Sequence, residues 1–209
     1  MRKILVFSAL IMMVALTNIC FADSIPSRKA TPVDDVFEPY TADNWIVSPD
    51  EEQEGDQISN EVLESDIRAA IACYDQDYLR VDILLYNSNS YQWDNFYAIE
   101  FEYDKNIYEY YTYYPDTNEL VYTQEKNGQT IKRQLLDLNK SDDQAGVTSS
   151  GGEIKDDNIY FIINKNKHLT GEKGKTYYLT TKFIAGYVDV DKKLVIADET
   201  IDVNLHFVK

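Results

Sequence analysis

Cysteine, histidine and positive charge are all scarce in this chain, and each scarcity removes a class of function. Two cysteines, Cys20 and Cys73, stand among 209 residues. With Cys20 in the leader described below, Cys73 has no partner for an internal disulfide, so stability must come from packing. The two histidines, His168 and His206, have no cysteine pair nearby, which argues against a zinc site. Twenty Lys and Arg face 36 Asp and Glu, a formal net charge of −16. A nucleic-acid ligand needs a basic footprint to displace counterions, and an anionic membrane needs the same, so both are excluded as expected partners. Beyond the amino terminus there is no apolar run long enough to cross a bilayer.

Cofactor motifs are missing as well. Gly171-Glu172-Lys173-Gly174-Lys175-Thr176 ends like a phosphate-binding loop, but Leu169 stands where its first glycine is needed. A strand pattern follows it, where a helix should present its amides to phosphate. No cofactor is expected.

The amino terminus has the form of an export signal. Arg2 and Lys3 precede a nearly unbroken apolar stretch, Ile4 to Leu16, and Cys20-Phe21-Ala22 offers a small-residue cleavage site. Cleavage near Ala22-Asp23 would make the protein secreted or periplasmic. Cys20 lacks the leucine and small residues that precede a lipidated cysteine, having Thr17, Asn18 and Ile19 instead. The remainder, with 18 Lys and Arg against 36 Asp and Glu, would carry −18. Cys73 shares the apolar parity of Ile67, Ala69 and Ile71, which predicts a small buried side chain.

Residues 23–56 contain four of the five prolines and end in Asp50-Glu51-Glu52-Gln53-Glu54-Gly55-Asp56. Such a segment reads as an acidic arm, flexible or loosely docked, with Phe37, Tyr40, Trp45, Ile46 and Val47 available as a clasp. Residues 57–209 then suffice for a single domain. Leu79, Val81, Ile83 and Leu85 alternate with Arg80 and Asp82, and Tyr97, Ile99, Phe101 and Tyr103 alternate with Ala98, Glu100 and Glu102. Further strands follow at Ile107 to Tyr114, Glu119 to Lys126, Gln129 to Leu138, Asn158 to Asn164, Thr176 to Val188, Leu194 to Ala197 and Ile201 to Val208. Asn127-Gly128 is a two-residue hairpin signature. The fold class is all-β: an antiparallel β-sandwich of about nine strands, jelly-roll-like or immunoglobulin-like. Residues 59–73 also fit a short helix capped by Ser59, although a strand from Ile67 closes a hairpin through Asp75-Gln76-Asp77.

Metal and nucleophile patterns are incomplete. Asp137, Asn139, Ser141 and Asp143 have the spacing of a calcium loop, but Asp142 stands where glycine is needed and Thr148 where a carboxylate is needed. That segment reads as a solvated loop running to Asp157. His168 falls in a polar stretch and His206 alternates outward from Val203, Leu205 and Phe207, so both are expected to be exposed. Tyr108-Glu109-Tyr110-Tyr111 resembles the nucleophile segment of small jelly-roll xylanases. The resemblance covers four residues with no matching acid segment, and no role is transferred.

What the chain has in excess is tyrosine: twelve of its seventeen lie between Tyr74 and Tyr122. If Lys105-Asn106 is a two-residue turn, Tyr103 faces Tyr108, Phe101 faces Tyr110, Ile99 faces Thr112 and Tyr97 faces Tyr114. This aromatic face is the predicted core, since a one-residue slip would set Glu109 opposite Phe101. The other face would carry Glu100, Glu102, Glu109, Tyr111 and Tyr113, with Tyr122 beside Tyr111. Rings flanked by carboxylates suit sugar, so Tyr111, Tyr113, Tyr122 and Glu109 are the candidate ligand-binding residues, for a glycan or protein partner. Directly opposed Glu102 and Glu109 would alternatively make a glycosidase pair. The plainest alternative is a half-buried face whose tyrosines serve as good strand formers.

Overall fold

The computed structural model describes residues 25–37, 45–51, 66–86, 95–104, 106–139, 142–149, 157–168 and 172–209. The expected export signal, its expected cleavage site near Ala22-Asp23 and residues 59–65 lie outside the described residues. Among the described residues, fourteen strands form two sheets. The first runs β1 (Ser27–Lys29), β14 (Val203–Val208), β12 (Thr176–Val188), β6 (Asn95–Asp104), β7 (Ile107–Tyr114), β8 (Glu119–Lys126) and β9 (Gln129–Leu136), with β13 (Leu194–Glu199) also paired to β12. The second runs β10 (Gln144–Ser149), β11 (Asp157–Asn164), β5 (Tyr78–Leu85), β4 (Ile67–Tyr74) and β2 (Thr31–Pro32), with β3 (Trp45–Val47) also on β4. A four-residue helix, α1 (Lys165–His168), follows β11. The chain is a β-sandwich. No helix among the described residues is long and apolar enough to cross a membrane.

The two inner faces share one core. Ile67, Leu79, Val81, Ile83, Phe161 and Ile163 from one sheet meet Tyr97, Ile99, Phe101, Phe183, Leu205 and Phe207 from the other. Period-two alternation makes this possible, because every second residue of each strand faces the partner sheet. The Asn127-Gly128 hairpin forms as the sequence predicts. Both residues take positive φ, 53° and 72°, the geometry that matches strand twist in a two-residue turn.

Ile67–Tyr74 is a strand throughout, paired antiparallel with β5, as the hairpin through Asp75-Gln76-Asp77 predicts, and the helical alternative does not form where it is described. Two expectations change. First, the supposed solvated loop contains β10, paired antiparallel with β11. Second, the described parts of the arm are hydrogen-bonded into both sheets. β1 runs parallel to β14, β2 parallel to β4, and β3 pairs antiparallel with β4. Ala30, Val36, Ile46 and Val47 are wholly buried. The arm also covers Arg80 and Asp82, a buried pair joined by two hydrogen bonds of 2.8 Å, and Arg80 Nη1 donates to Val36 O at 3.0 Å.

Candidate functional site

The register of β6 on β7 decides which tyrosines meet solvent. At the turn the predicted pairing holds, with Asp104 opposite Ile107. A bulge then falls between Glu102 and Asp104, leaving Tyr103 without a partner, and the rest of the ladder slips by one residue. Phe101 faces Glu109, Ile99 faces Tyr111 and Tyr97 faces Tyr113. The pairing rejected on sequence is therefore the one that forms. Strand β8 supplies the reason. Facing Tyr113 and Tyr111 across the ladder are Leu120 and Tyr122, whereas facing Tyr114, Tyr110 and Tyr108 are Glu119, Thr123 and Glu125. Burying the first set costs one carboxylate, Glu109; burying the second would cost two, Glu119 and Glu125.

The predicted ligand-binding residues consequently lie inside. Tyr111 is fully buried, Tyr113 and Tyr122 are each 3% exposed, and Glu109 is 2% exposed. Tyr111 packs edge-on to Phe101 with ring centroids 5.9 Å apart, and stands 5.3 Å from Tyr122. Glu109 Oε1 accepts from Gln124 Nε2 at 3.0 Å. Burial pushes the Glu109 carboxyl above its ordinary range, against the stabilising pull of the Tyr122, Tyr103 and Gln124 dipoles. Those hydroxyls lie near, yet no hydrogen bond of full geometry reaches Oε2. Glu102 projects from the other side of the sheet, beside Tyr108. The two carboxylates of the glycosidase alternative are thus on opposite faces and cannot act on one bond.

His168 also departs from expectation. Its ring sits 5.8 Å from Tyr111 and 5.4 Å from Tyr122, and Nε2 lies 2.8 Å from Asp143 Oδ2. Asp143 is buried and accepts from the Asn164 amide at 2.7 Å, so the acidic loop ends in an internal anchor. Cys73 is buried as predicted, and burial pushes its thiol up to about 12.

The solvent-side surface of the first sheet carries a different set. Across it run Lys182, Glu100, Tyr110, Thr123 and Arg133 as one row. Beside that row lie Ile184, Ala98, Thr112 and Val121, and then Gly186, Phe96, Tyr114 and Glu119. Phe96, Ala98 and Ile184 form a small apolar cluster with Tyr114, separate from the main core. Gly186 makes room for it: a Cβ there would fall 2.6 Å from the Phe96 ring and collide with the Val195 carbonyl oxygen. Phe96 can therefore lie across β12, with Tyr114 at a centroid distance of 6.3 Å.

Two of the hollows among the described residues open on this surface. The larger, about 540 Å³, is lined by Asn95, Tyr114, Asp116, Thr117, Glu119, Arg133 and Lys192 among others. The smaller, about 280 Å³, is lined by Phe96, Tyr110, Thr123, Glu125 and the exposed Leu194 and Ile196. Asn95, 3% exposed, lies at the inner margin of the larger hollow, on the core-facing parity of Tyr97; its amide nitrogen is buried and has no hydrogen-bond partner among the described residues. In the row of Lys182 and Thr123, burial raises the Glu100 carboxyl, and burial together with that carboxylate raises the Tyr110 hydroxyl.

These residues were invisible to a reading that placed Tyr108, Tyr110, Thr112 and Tyr114 in the core. The available signal was the polarity of β8, where Glu119, Thr123 and Glu125 share one parity.

No family model and no curated protein matches this sequence. Among solved structures the chain resembles a Bacteroides uniformis protein proposed to bind carbohydrate. The TM-score is 0.47 at 10% identity, over 88% of this chain and 100% of that one.

Proposed function

We propose that this is an exported, non-catalytic β-sandwich protein that binds a glycan on the solvent side of its first sheet, in the hollows beside Tyr114 and Tyr110. One observation carries the reading: a hollow of about 540 Å³ is walled by Tyr114 and ringed by the donors Arg133 and Lys192 and the acceptors Asp116 and Glu119. Sugars offer an apolar ring face and a rim of hydroxyls. Tyr114 supplies a surface for the first. Arg133 and Lys192 donate to the second, and Asp116 and Glu119 accept from it. Mixed donors and acceptors around an aromatic wall suit hydroxyl-rich ligands better than a purely apolar one.

The test is a glycan array on the protein lacking residues 1–22, followed by calorimetry on the hits. Tyr114→Ala and Asp116→Ala should each weaken binding by about 1–2 kcal/mol, roughly tenfold, the order expected of a central contact. No glycan bound at millimolar concentration, or hits unaffected by either substitution, would refute the site. Turnover of a bound glycan would refute the non-catalytic part. Export predicts that the full chain, expressed in a bacterium with a secretion pathway, is recovered outside the cytoplasm with its amino terminus near Asp23.

A further inference from the structure

Strand β9 differs from every other long strand described here. It hydrogen-bonds to β8 along one side and, among the described residues, to no strand along the other. Seven of its eight residues, Gln129 to Leu135, are exposed. An edge of this length presents a row of free amide and carbonyl groups, which is the template for adding one more strand. Ile131 and Leu135 stand on the solvent side of that edge, 56% and 57% exposed, and Arg133 stands between them.

The edge is also electrically out of place. Between Lys126 and Leu136 the sequence holds three cations, Lys126, Lys132 and Arg133, and no Asp or Glu. All three are exposed, in a chain whose net charge is −16. Lys132 keeps its ammonium 4.9 Å from the Tyr122 ring centre, which holds it beside the edge. We propose that β9 is a docking edge for an extended, acidic polypeptide strand from another protein. Main-chain hydrogen bonds to β9 provide the attachment. Acidic side chains on one face of the incoming strand pair with Lys126 and Lys132, and the apolar residues alternating with them fall on the other face, over Ile131 and Leu135 on either side of Arg133.

Self-pairing is the competing occupant. Two copies of β9 joined antiparallel about a two-fold axis would bring two sets of Lys132 and Arg133 together, and like charges facing across a ladder are destabilising. Isolated lysines also protect edges against aggregation. That role needs neither three cations nor two exposed apolar residues.

The probes are synthetic ten-residue peptides read by fluorescence anisotropy against the protein lacking residues 1–22. An alternating Glu-Val peptide should bind, and its affinity should fall as salt is raised. The Lys-Val counterpart should not bind. A Glu-Val peptide with alternate backbone nitrogens methylated keeps the charge but loses the ladder, and should bind at least roughly tenfold more weakly. Lys126→Glu combined with Lys132→Glu should weaken the Glu-Val peptide by roughly tenfold, the sum expected of two lost exposed ion pairs. Amide exchange should slow within Gln129–Leu136 when the peptide is bound. Equal binding of the methylated peptide would overturn strand addition, and equal binding of the Lys-Val peptide would overturn charge recognition. A concentration-dependent dimer, seen by sedimentation and broken by Ile131→Lys, would assign the edge to a second copy instead. Should the double variant unfold, the methylated peptide on the unsubstituted protein still decides the question.

Discussion

Lys165 is a lysine inside a sandwich, and its energetics can be read through pH. It is 1% exposed, and Nζ donates to the carbonyl oxygens of Asp75 and Val208, each at 2.6 Å. Asp75 belongs to the β4–β5 turn and Val208 ends β14, so one ammonium ties the two sheets together at that end. The Tyr74 ring lies 4.9 Å away on a third side. Burial pulls the amine down to about 8, with the nearby Asp75 and Asp77 charges opposing the shift. In the unfolded chain the same amine titrates near 10.4.

The sign follows from proton counting. Below pH 8 both states hold the proton, and the folded state carries the full cost of a buried charge. Between about 8 and 10.4 the unfolded chain binds more protons, so stability rises with pH through that window. From pH 7 to pH 9 the gain is about 1.4 kcal/mol, one pH unit at full slope. Cys73 opposes it, because its thiol is pushed up to about 12 and so stays protonated when folded while ionising near 8.5 when unfolded. The comparison must therefore be with Lys165→Met, in which the cysteine effect cancels. At pH 7 the substitution should be nearly neutral. Two carbonyls lose a partner, at about 1–3 kcal/mol each, while about 3 kcal/mol of desolvation is regained. Urea denaturation at pH 7, 8 and 9 gives the difference directly. Wild type should gain about 1.4 kcal/mol on the variant across that range. A difference that stays flat would mean that Lys165 titrates as an exposed lysine and that the staple is not closed in solution.

Three further substitutions check the packing. Arg80→Ala leaves Asp82 charged and buried beneath the arm, and should cost about 3–5 kcal/mol in urea denaturation; a loss below 1 kcal/mol would mean that the arm is not seated. Tyr111→Ala should cost about 3–5 kcal/mol and Tyr110→Ala about 1 kcal/mol, because one ring fills the core and the other faces solvent. The reverse order would restore the register read from the sequence.

The strands were legible because alternation is strict where one face is buried. Tyr97 to Tyr103, Leu79 to Leu85 and the Asn127-Gly128 turn each carry their own signal, and each appears as read. Gln144–Ser149 carries almost none. It has Ala145 and Val147 as its alternating apolar residues, and its neighbours are the acids and glycines of a loop. Its pairing with β11 supplies what propensity does not. The arm misled for a related reason. Prolines and acids argue against burying much surface, yet Ala30, Val36, Ile46 and Val47 suffice to close both sheets over it.

The site was less legible than the fold, and the cause lies in one residue. With tyrosines on both faces of β7, hydrophobicity alone barely distinguishes its two registers, and Glu109 becomes the deciding mark. A carboxylate in a core is rare enough that rejecting it is the sound choice for an isolated hairpin. The hairpin is not isolated. Leu120, Tyr122 and Leu136 on the next two strands all share the face of Glu109, and their combined burial outweighs the cost of one carboxylate steadied by Gln124 and the neighbouring hydroxyls. The bulge at Tyr103 is the means by which the chain makes that exchange, keeping both the turn and the inward ring while reversing everything beyond. Parity is therefore a property of a whole sheet. A face assigned from two strands can be inverted by the third, and here that inversion moves Tyr110 and Tyr114 out to solvent and Tyr111, Tyr113 and Tyr122 into the core.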